Sequence, residues 1–207
     1  MSSTKSILFD WDGVICDSFG VFHSIHNRLY PSANMGMDDF RKYFSNRSYE
    51  GKGVLPGRLM DYSSDFCSAS LFPCMCDVLV KLKGKGKKLT LISNSPIGVI
   101  QYHLEKNKLK GVFDALYTSD HALRKPNPQL LEDIHIKFGT GEKETVFIGD
   151  QVSDLLFVKD KKYKKFFCTY GFSDYTELSR TEIQFNISDV LYYRNSMDLA
   201  FALNQLD

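Results

Sequence analysis

Between Lys88 and Thr169 short apolar runs alternate with helical stretches, a rhythm that only a few folds accommodate. Lys88-Leu89-Thr90-Leu91-Ile92 has the composition of a buried strand and stops at Ser93-Asn94-Ser95. Pro96 then suits the first turn of a helix continuing to about Lys106. Ala115-Leu116-Tyr117-Thr118 is a second run, followed by a polar loop from Ser119 to Asn127. Pro128 opens a helix through about Phe138, and Gly139 stops it. Thr145-Val146-Phe147-Ile148 and Lys165-Phe166-Phe167-Cys168-Thr169 complete the series, with a helix to about Lys159 between them. Alternation at this spacing predicts βαβ crossovers and a mostly parallel sheet. The expected fold class is α/β, a Rossmann-like three-layer α/β/α core.

The run Ile7-Leu8-Phe9 adds a strand of the same kind and leads straight into Asp10-Trp11-Asp12-Gly13-Val14-Ile15. An uninterrupted apolar run suits a parallel-sheet strand covered on both faces. Open α/β sheets place their ligands beyond the carboxyl ends of the strands, where these two carboxylates fall. In extended geometry residues i and i+2 share a face. Like charges held together need a cation or a proton to offset their repulsion. A plain Asp-Gly turn at a strand end would show the same residues, so the motif gains meaning only from its company.

Residues 17–71 break the rhythm. Apolar and aromatic residues fall there at helical intervals (Phe19, Phe22, Ile25, Leu29), punctuated by Pro31, Gly36, Gly51, Gly53, Pro56 and Gly57. The spacing predicts a small α-helical insertion over 17–71, set into an α/β core domain formed by 1–16 and 72–207. The core should resume with a helix near Pro73. A strand over Gln184–Ile187 and a closing helix over Met197–Leu206 are expected at the end.

Composition narrows the partners. The 207 residues carry 26 basic and 25 acidic side chains, a net charge of +1, and are 43% hydrophobic. That balance supplies no field for nucleic acid or an anionic membrane. No apolar stretch approaches the roughly 18 residues of a membrane span. Met1-Ser2-Ser3-Thr4-Lys5 runs directly into the first strand, leaving no room for a signal peptide, so a cytoplasmic protein is expected. Five cysteines do not suggest a disulfide framework, and Cys67, Cys74 and Cys76 lack both a CxxC pair and a nearby histidine. His23 and His26 are expected on a helix surface. The lysine-rich stretches 81–88 and 159–165 are expected to be solvated helix ends whose cations complement the dipole and cap carbonyls.

Polar groups therefore recur at or just after four strand ends: Asp10 with Asp12, Ser93 with Asn94, Lys125, and Asp150 with Asp154. A parallel sheet brings them to one edge. They suit phosphoryl transfer. Asp10 has an ordinary pKa of about 3.9 and is ionised without help from a base. Mg²⁺ would remove the repulsion between it and a phosphate, and the oxygen ligands of Asp10 and Asp150 suit that ion. Ser93, Asn94 and Lys125 can bind the transferring oxygens.

These motifs resemble those of the haloacid dehalogenase superfamily, in order and over nearly the whole chain. They are Asp10-Trp11-Asp12-Gly13-Val14, the strand ending at Ser93, Arg124-Lys125-Pro126-Asn127-Pro128, and Gly149-Asp150-Gln151-Val152-Ser153-Asp154. The resemblance implies a Mg²⁺-dependent phosphatase for a small phosphate monoester, with Asp10 forming an aspartyl-phosphate. It implies that Asp12 is acid and base, that its backbone carbonyl joins the metal shell, and that Asp154 completes or orients it. Dehalogenases that dispense with Mg²⁺ lack the second aspartate, so dehalogenation is disfavoured. Leu71-Phe72-Pro73, Ser93-Asn94-Ser95 and Thr169-Tyr170-Gly171 look most like phosphoglycolate-phosphatase-type members, which carry a helical cap at this point. The cap candidates for substrate contact are Arg47, Lys52 and Arg58. A phosphomutase of the β-phosphoglucomutase type, or a non-catalytic binding member, would share the core motifs.

Overall fold

The computed structural model describes residues 3–49 and 53–207. The chain opens with strand β1 (Ser6–Phe9), a short β2 (Cys16–Asp17), and helices α1 (Phe19–Leu29), α2 (Met37–Tyr49) and α3 (Ser63–Phe66). It continues with β3 (Ser70–Leu71), α4 (Met75–Gly84), β4 (Lys88–Ile92), α5 (Ile97–Lys106), β5 (Ala115–Tyr117) and α6 (Gln129–Phe138). Strand β6 (Thr145–Gly149), α7 (Val152–Phe157), β7 (Lys164–Cys168), α8 (Tyr175–Phe185), β8 (Val190–Tyr193) and α9 (Ser196–Asn204) complete it.

Strand β1 is buried at every position, as a run without polar alternation requires. It lies inside a six-stranded sheet of order β5-β4-β1-β6-β7-β8, and every pairing in that sheet is parallel. Phe9 is in register with Leu91 on one side and Ile148 on the other, so the residues after each strand reach the same edge. Side chains alternate between two apolar layers. Ile7 and Phe9 pack with Val78, Leu82, Ile100, Leu199 and Leu203 of α4, α5 and α9. Leu8 faces the other way, toward Leu130, Ile134, Leu155 and Leu178 of α6, α7 and α8. The expected three layers are therefore present.

Between β2 and β3, an antiparallel pair with Cys16 opposite Leu71, the described residues are helical or irregular. Aromatic rings close this insertion on itself and on the sheet. Phe22 stacks with Phe66 at 4.7 Å, and Phe44 meets Phe172, which follows β7, at 4.5 Å. Among the described residues no helix is long and apolar enough to cross a membrane.

Three expectations need correction. Gln184 and Phe185 end α8 rather than forming a strand; the last strand is β8. Asp174 caps α8 by accepting from the Glu177 N–H at 2.9 Å, and Asn186 ends it at φ 49°. The β-rich residues Val190-Leu191-Tyr192-Tyr193 then outcompete that segment for the sheet edge. His26 is buried rather than on the helix surface, packed against Phe40 and Tyr43. Lys87 and Lys165 are buried too, although they do cap carbonyls. The Lys165 ammonium donates to the Lys161, Tyr163 and Ser188 carbonyls, and Lys87 donates to that of Thr4 at 2.6 Å. Their stems replace apolar filling while the ammonium heads find carbonyl acceptors.

Candidate active site

Asp10 follows β1 directly, and its N–H continues the ladder by donating to the Ile148 carbonyl at 2.9 Å. Its carboxylate accepts from the Trp11 N–H at 2.7 Å and pairs with the Lys125 ammonium at 3.0 Å. Lys125 comes from the loop between β5 and α6 and also reaches Asp154 at 2.7 Å. Asp154 sits in the first turn of α7, where it accepts from the N–H of Gln151, the N-cap residue, at 3.2 Å. Asp150, at the end of β6, is fully buried. One of its oxygens accepts from the Phe172 N–H at 2.6 Å. The other, Oδ1, is buried with no hydrogen-bond partner among the described residues.

Backbone shape makes room for Asp150. Gly13 has φ +75°, and a side chain there would collide with the Asp150 carboxylate. Gly171 closes the opposite wall, where a Cβ would lie 2.7 Å from the Gly13 carbonyl oxygen. Oxygens of Asp10, Asp150 and Asp154 lie within 4.8 Å of one another. Burial, with Asp154 close by, holds the Asp10 carboxyl well above its ordinary pKa; Lys125 acts in the opposite direction. Burial and then Asp10 and Asp154 raise that of Asp150. The Lys125 ammonium loses hydration on burial, but the two carboxylates outweigh this and raise its pKa. One lysine cannot balance this many acids, and the lone Asp150 Oδ1 has the chemistry of a ligand for a hard cation. The donor set, all carboxylate oxygen, fits Mg²⁺.

Asp12 belongs to a different group. Its two oxygens accept from Ser18 Oγ at 2.6 Å and Ser95 Oγ at 2.5 Å. Burial raises its pKa, and these two hydrogen bonds lower it. Its side chain stands outside the Asp10–Asp150–Asp154 cluster. Ser93 is buried and accepts from the Ser95 N–H at 3.0 Å, whereas Asn94 and Ser95 line the cavity.

That cavity, of about 450 Å³, has two unlike walls. Asp10, Asp12, Asn94, Ser95, Lys125 and Asp154 form the sheet side, and Phe22, Phe44, Val54, Leu55 and Leu59 form the insertion side. Neither Arg47 nor Arg58 lines it. Arg47 donates to the Gly53 carbonyl at 2.7 Å, and Arg58 is exposed and 3.6 Å from Asp61. Lys52 lies outside the described residues. Sequence reasoning missed Ser18, Ser95, Arg41 and Phe172. Ser95 carried a signal, since it shares the Ser93-Asn94-Ser95 strand end. Arg41 carried none: it crosses from α2 to donate to the carbonyls of Gly171 and Phe172, the latter at 2.8 Å.

Residues 7–164 match the family model for haloacid dehalogenase-like hydrolases. The chain belongs to that family. Among curated relatives, a phosphoglycolate phosphatase of Vibrio parahaemolyticus is 25% identical, over 87% of this chain and 90% of that protein. A phosphoglycolate phosphatase of Aliivibrio fischeri is 27% identical, over 82% and 86%. Among solved structures, a hydrolase from Pseudomonas syringae superposes with a TM-score of 0.72 at 20% identity, over 98% of this chain and 99% of that one. The α/β core and the helical insertion after β1 are thus features of a haloacid dehalogenase-like fold. The four motifs of that resemblance meet at one sheet edge here.

Proposed function

We propose that the protein is a Mg²⁺-dependent phosphatase that hydrolyses a small phosphate monoester through an aspartyl-phosphate on Asp10. The observation that carries this reading is the Asp10–Lys125–Asp154 ion-pair chain beside the unpartnered Asp150 Oδ1. Family membership and the named phosphatase relatives support it.

Asp10, Asp150 and Asp154, with the Asp12 backbone carbonyl, would hold the metal. Bound there, Mg²⁺ supplies positive charge that lets an anionic nucleophile approach an anionic phosphate. Asp10 attacks phosphorus while the ester oxygen departs. Asp12, whose raised pKa favours the acid form, gives that oxygen its proton. The same carboxylate then takes a proton from the water that cleaves the acyl phosphate, returning Asp10 to its starting state. Ser18 and Ser95 orient Asp12 through both steps. Lys125 and Asn94 offset charge on the transferring oxygens, and Ser93 supports that strand end. Residues 17–71 act as a cap over the 1–16 and 72–207 core, shielding the intermediate from bulk water.

Assaying the purified protein against a panel of phosphate monoesters, with and without Mg²⁺, tests this reading. Release of inorganic phosphate from at least one ester, dependent on Mg²⁺ and lost in Asp10→Asn, is the expected result. No turnover of any ester would refute it.

A further inference from the structure

Among the described residues no cation of the insertion lines the cavity itself, although Arg58 borders an adjoining one that shares Leu59, Asn94 and Lys125 with it. Arg28 pairs with Asp65 at 2.7 Å, and Lys42 lies 3.8 Å from Asp39. Arg41 holds the Gly171 and Phe172 carbonyls and stacks 4.4 Å from the Phe19 ring centre. Arg47 serves the Gly53 carbonyl, and Arg58 faces Asp61 in solvent. What the insertion turns toward Asp10 is instead Phe22, Phe44, Val54, Leu55 and Leu59, with Phe172 beside them. Lys125 is the one cation among the described residues lining that cavity, and Asp10 and Asp154 already pair with it.

A leaving group carrying a carboxylate would meet, among the described residues lining this space, no cation other than the already paired Lys125. Stripping water from an unpaired carboxylate is costly, whereas an alkyl or aryl group gains by leaving water for these side chains. We infer that the site selects phosphate monoesters of uncharged, apolar alcohols, and discriminates against substrates with a second anionic group such as 2-phosphoglycolate. This inference rests on the phosphatase reading above and departs from the substrate named for the curated relatives. The apolar roof is set by Phe22 and Phe44, rigid rings that themselves pack in the insertion core. Leu59 and Val54 are only partly buried and form its adjustable rim.

The test compares kcat/KM for benzyl phosphate and 3-methylbutyl phosphate with that for 2-phosphoglycolate and 3-phosphoglycerate, all at saturating Mg²⁺. The four leaving groups are aliphatic alcohols, so a simple advantage of an activated aryl ester does not enter. Expected is a preference of about tenfold or more for the apolar pair, the scale that apolar contacts give to discrimination. Leu59→Arg, at the rim where folding tolerates a charge, should shrink that ratio by about tenfold by disfavouring the apolar esters and pairing the acidic ones. Equal or greater kcat/KM for 2-phosphoglycolate in the parent protein would overturn the inference and leave the phosphatase reading intact. An unchanged ratio in a folded Leu59→Arg variant would also overturn it, since the apolar wall would then not be what selects. Absence of turnover with all four esters and with p-nitrophenyl phosphate would overturn both readings.

Discussion

The sheet edge and the helical insertion face each other across one cavity and are built on opposite principles. On the sheet side buried charge is concentrated: Asp10, Asp150 and Asp154 crowd together, and among the described residues Lys125 is the one cation paired with any of them, through Asp10 and Asp154. Such a cluster opposes folding, because desolvated like charges repel, and it is held by neighbours such as Gly13 and the Phe172 N–H. The insertion carries many charges as well, yet its described arginines bind groups outside the cavity while rings face inward. The difference teaches that charge count along a segment says little about charge at a site. On the proposed reading the sheet edge acts on the phosphate, and the insertion faces the group to which the phosphate is attached.

The sharpest test of the sheet side is Asp10→Asn. Turnover should fall by roughly 10⁴-fold or more, as for loss of a nucleophile, since the amide does not attack phosphorus. Thermal stability should hold or rise, because a neutral group replaces one whose charged form burial disfavours. Hydrolysis within about tenfold of the parent rate would remove Asp10 from the mechanism. Chelation comes next: excess EDTA should abolish phosphate release and added Mg²⁺ should restore it, with Ca²⁺ a poor substitute because of its longer bonds and higher coordination number. Activity surviving verified metal removal would contradict the ligand set. Lys125→Met should lower kcat/KM by about 10²-fold or more for every ester alike, because it withdraws stabilisation common to all the transition states. A reordered substrate ranking would instead assign leaving-group selection to the sheet side.

Smaller effects probe the join between the two regions. Arg41→Met removes donors to the loop whose Phe172 N–H holds Asp150, and should lower kcat/KM about tenfold across all esters, the scale of a charge-assisted hydrogen bond. A variant matching the parent would show that the loop keeps its shape unaided. Arg47→Ala and Arg58→Ala should leave rates and ranking within about twofold, since Arg47 serves a backbone carbonyl outside the cavity and the exposed Arg58–Asp61 pair is worth only ~0–1 kcal/mol. A large change in either would mean that cations of the insertion reach the substrate after all, and the contrast between polar floor and apolar roof would fail.

The strands that carry the site were legible because their cause is local. Lys88–Ile92 was bounded correctly by composition and by the polar turn after it, and Gly139 ends α6 at φ 61° as its position suggested. The last strand was misplaced because Gln184–Ile187 and Val190–Tyr193 are both plausible by propensity. The Asp174 cap and the burial of Leu178 and Thr181 decide for helix in the first of them. Lys165 illustrates a second limit. A lysine run suggests solvent, but the position of Lys165 in β7 inserts its stem into the interior, and three carbonyls meet its ammonium.

By itself the sequence determined which chemistry-bearing residues would meet. In a parallel sheet the carboxyl ends of strands share an edge, so Asp10, Ser93, Lys125 and Asp150 converge once the alternation is recognised. Only the tertiary structure decided what faces them. Whether an arginine of the insertion points into the cavity or onto a nearby carbonyl depends on helix rotation and loop geometry, which short-range patterns do not encode. Arg41, 130 residues from Gly171 in the chain, is the clearest case, since its acceptors exist only after both regions have folded and packed.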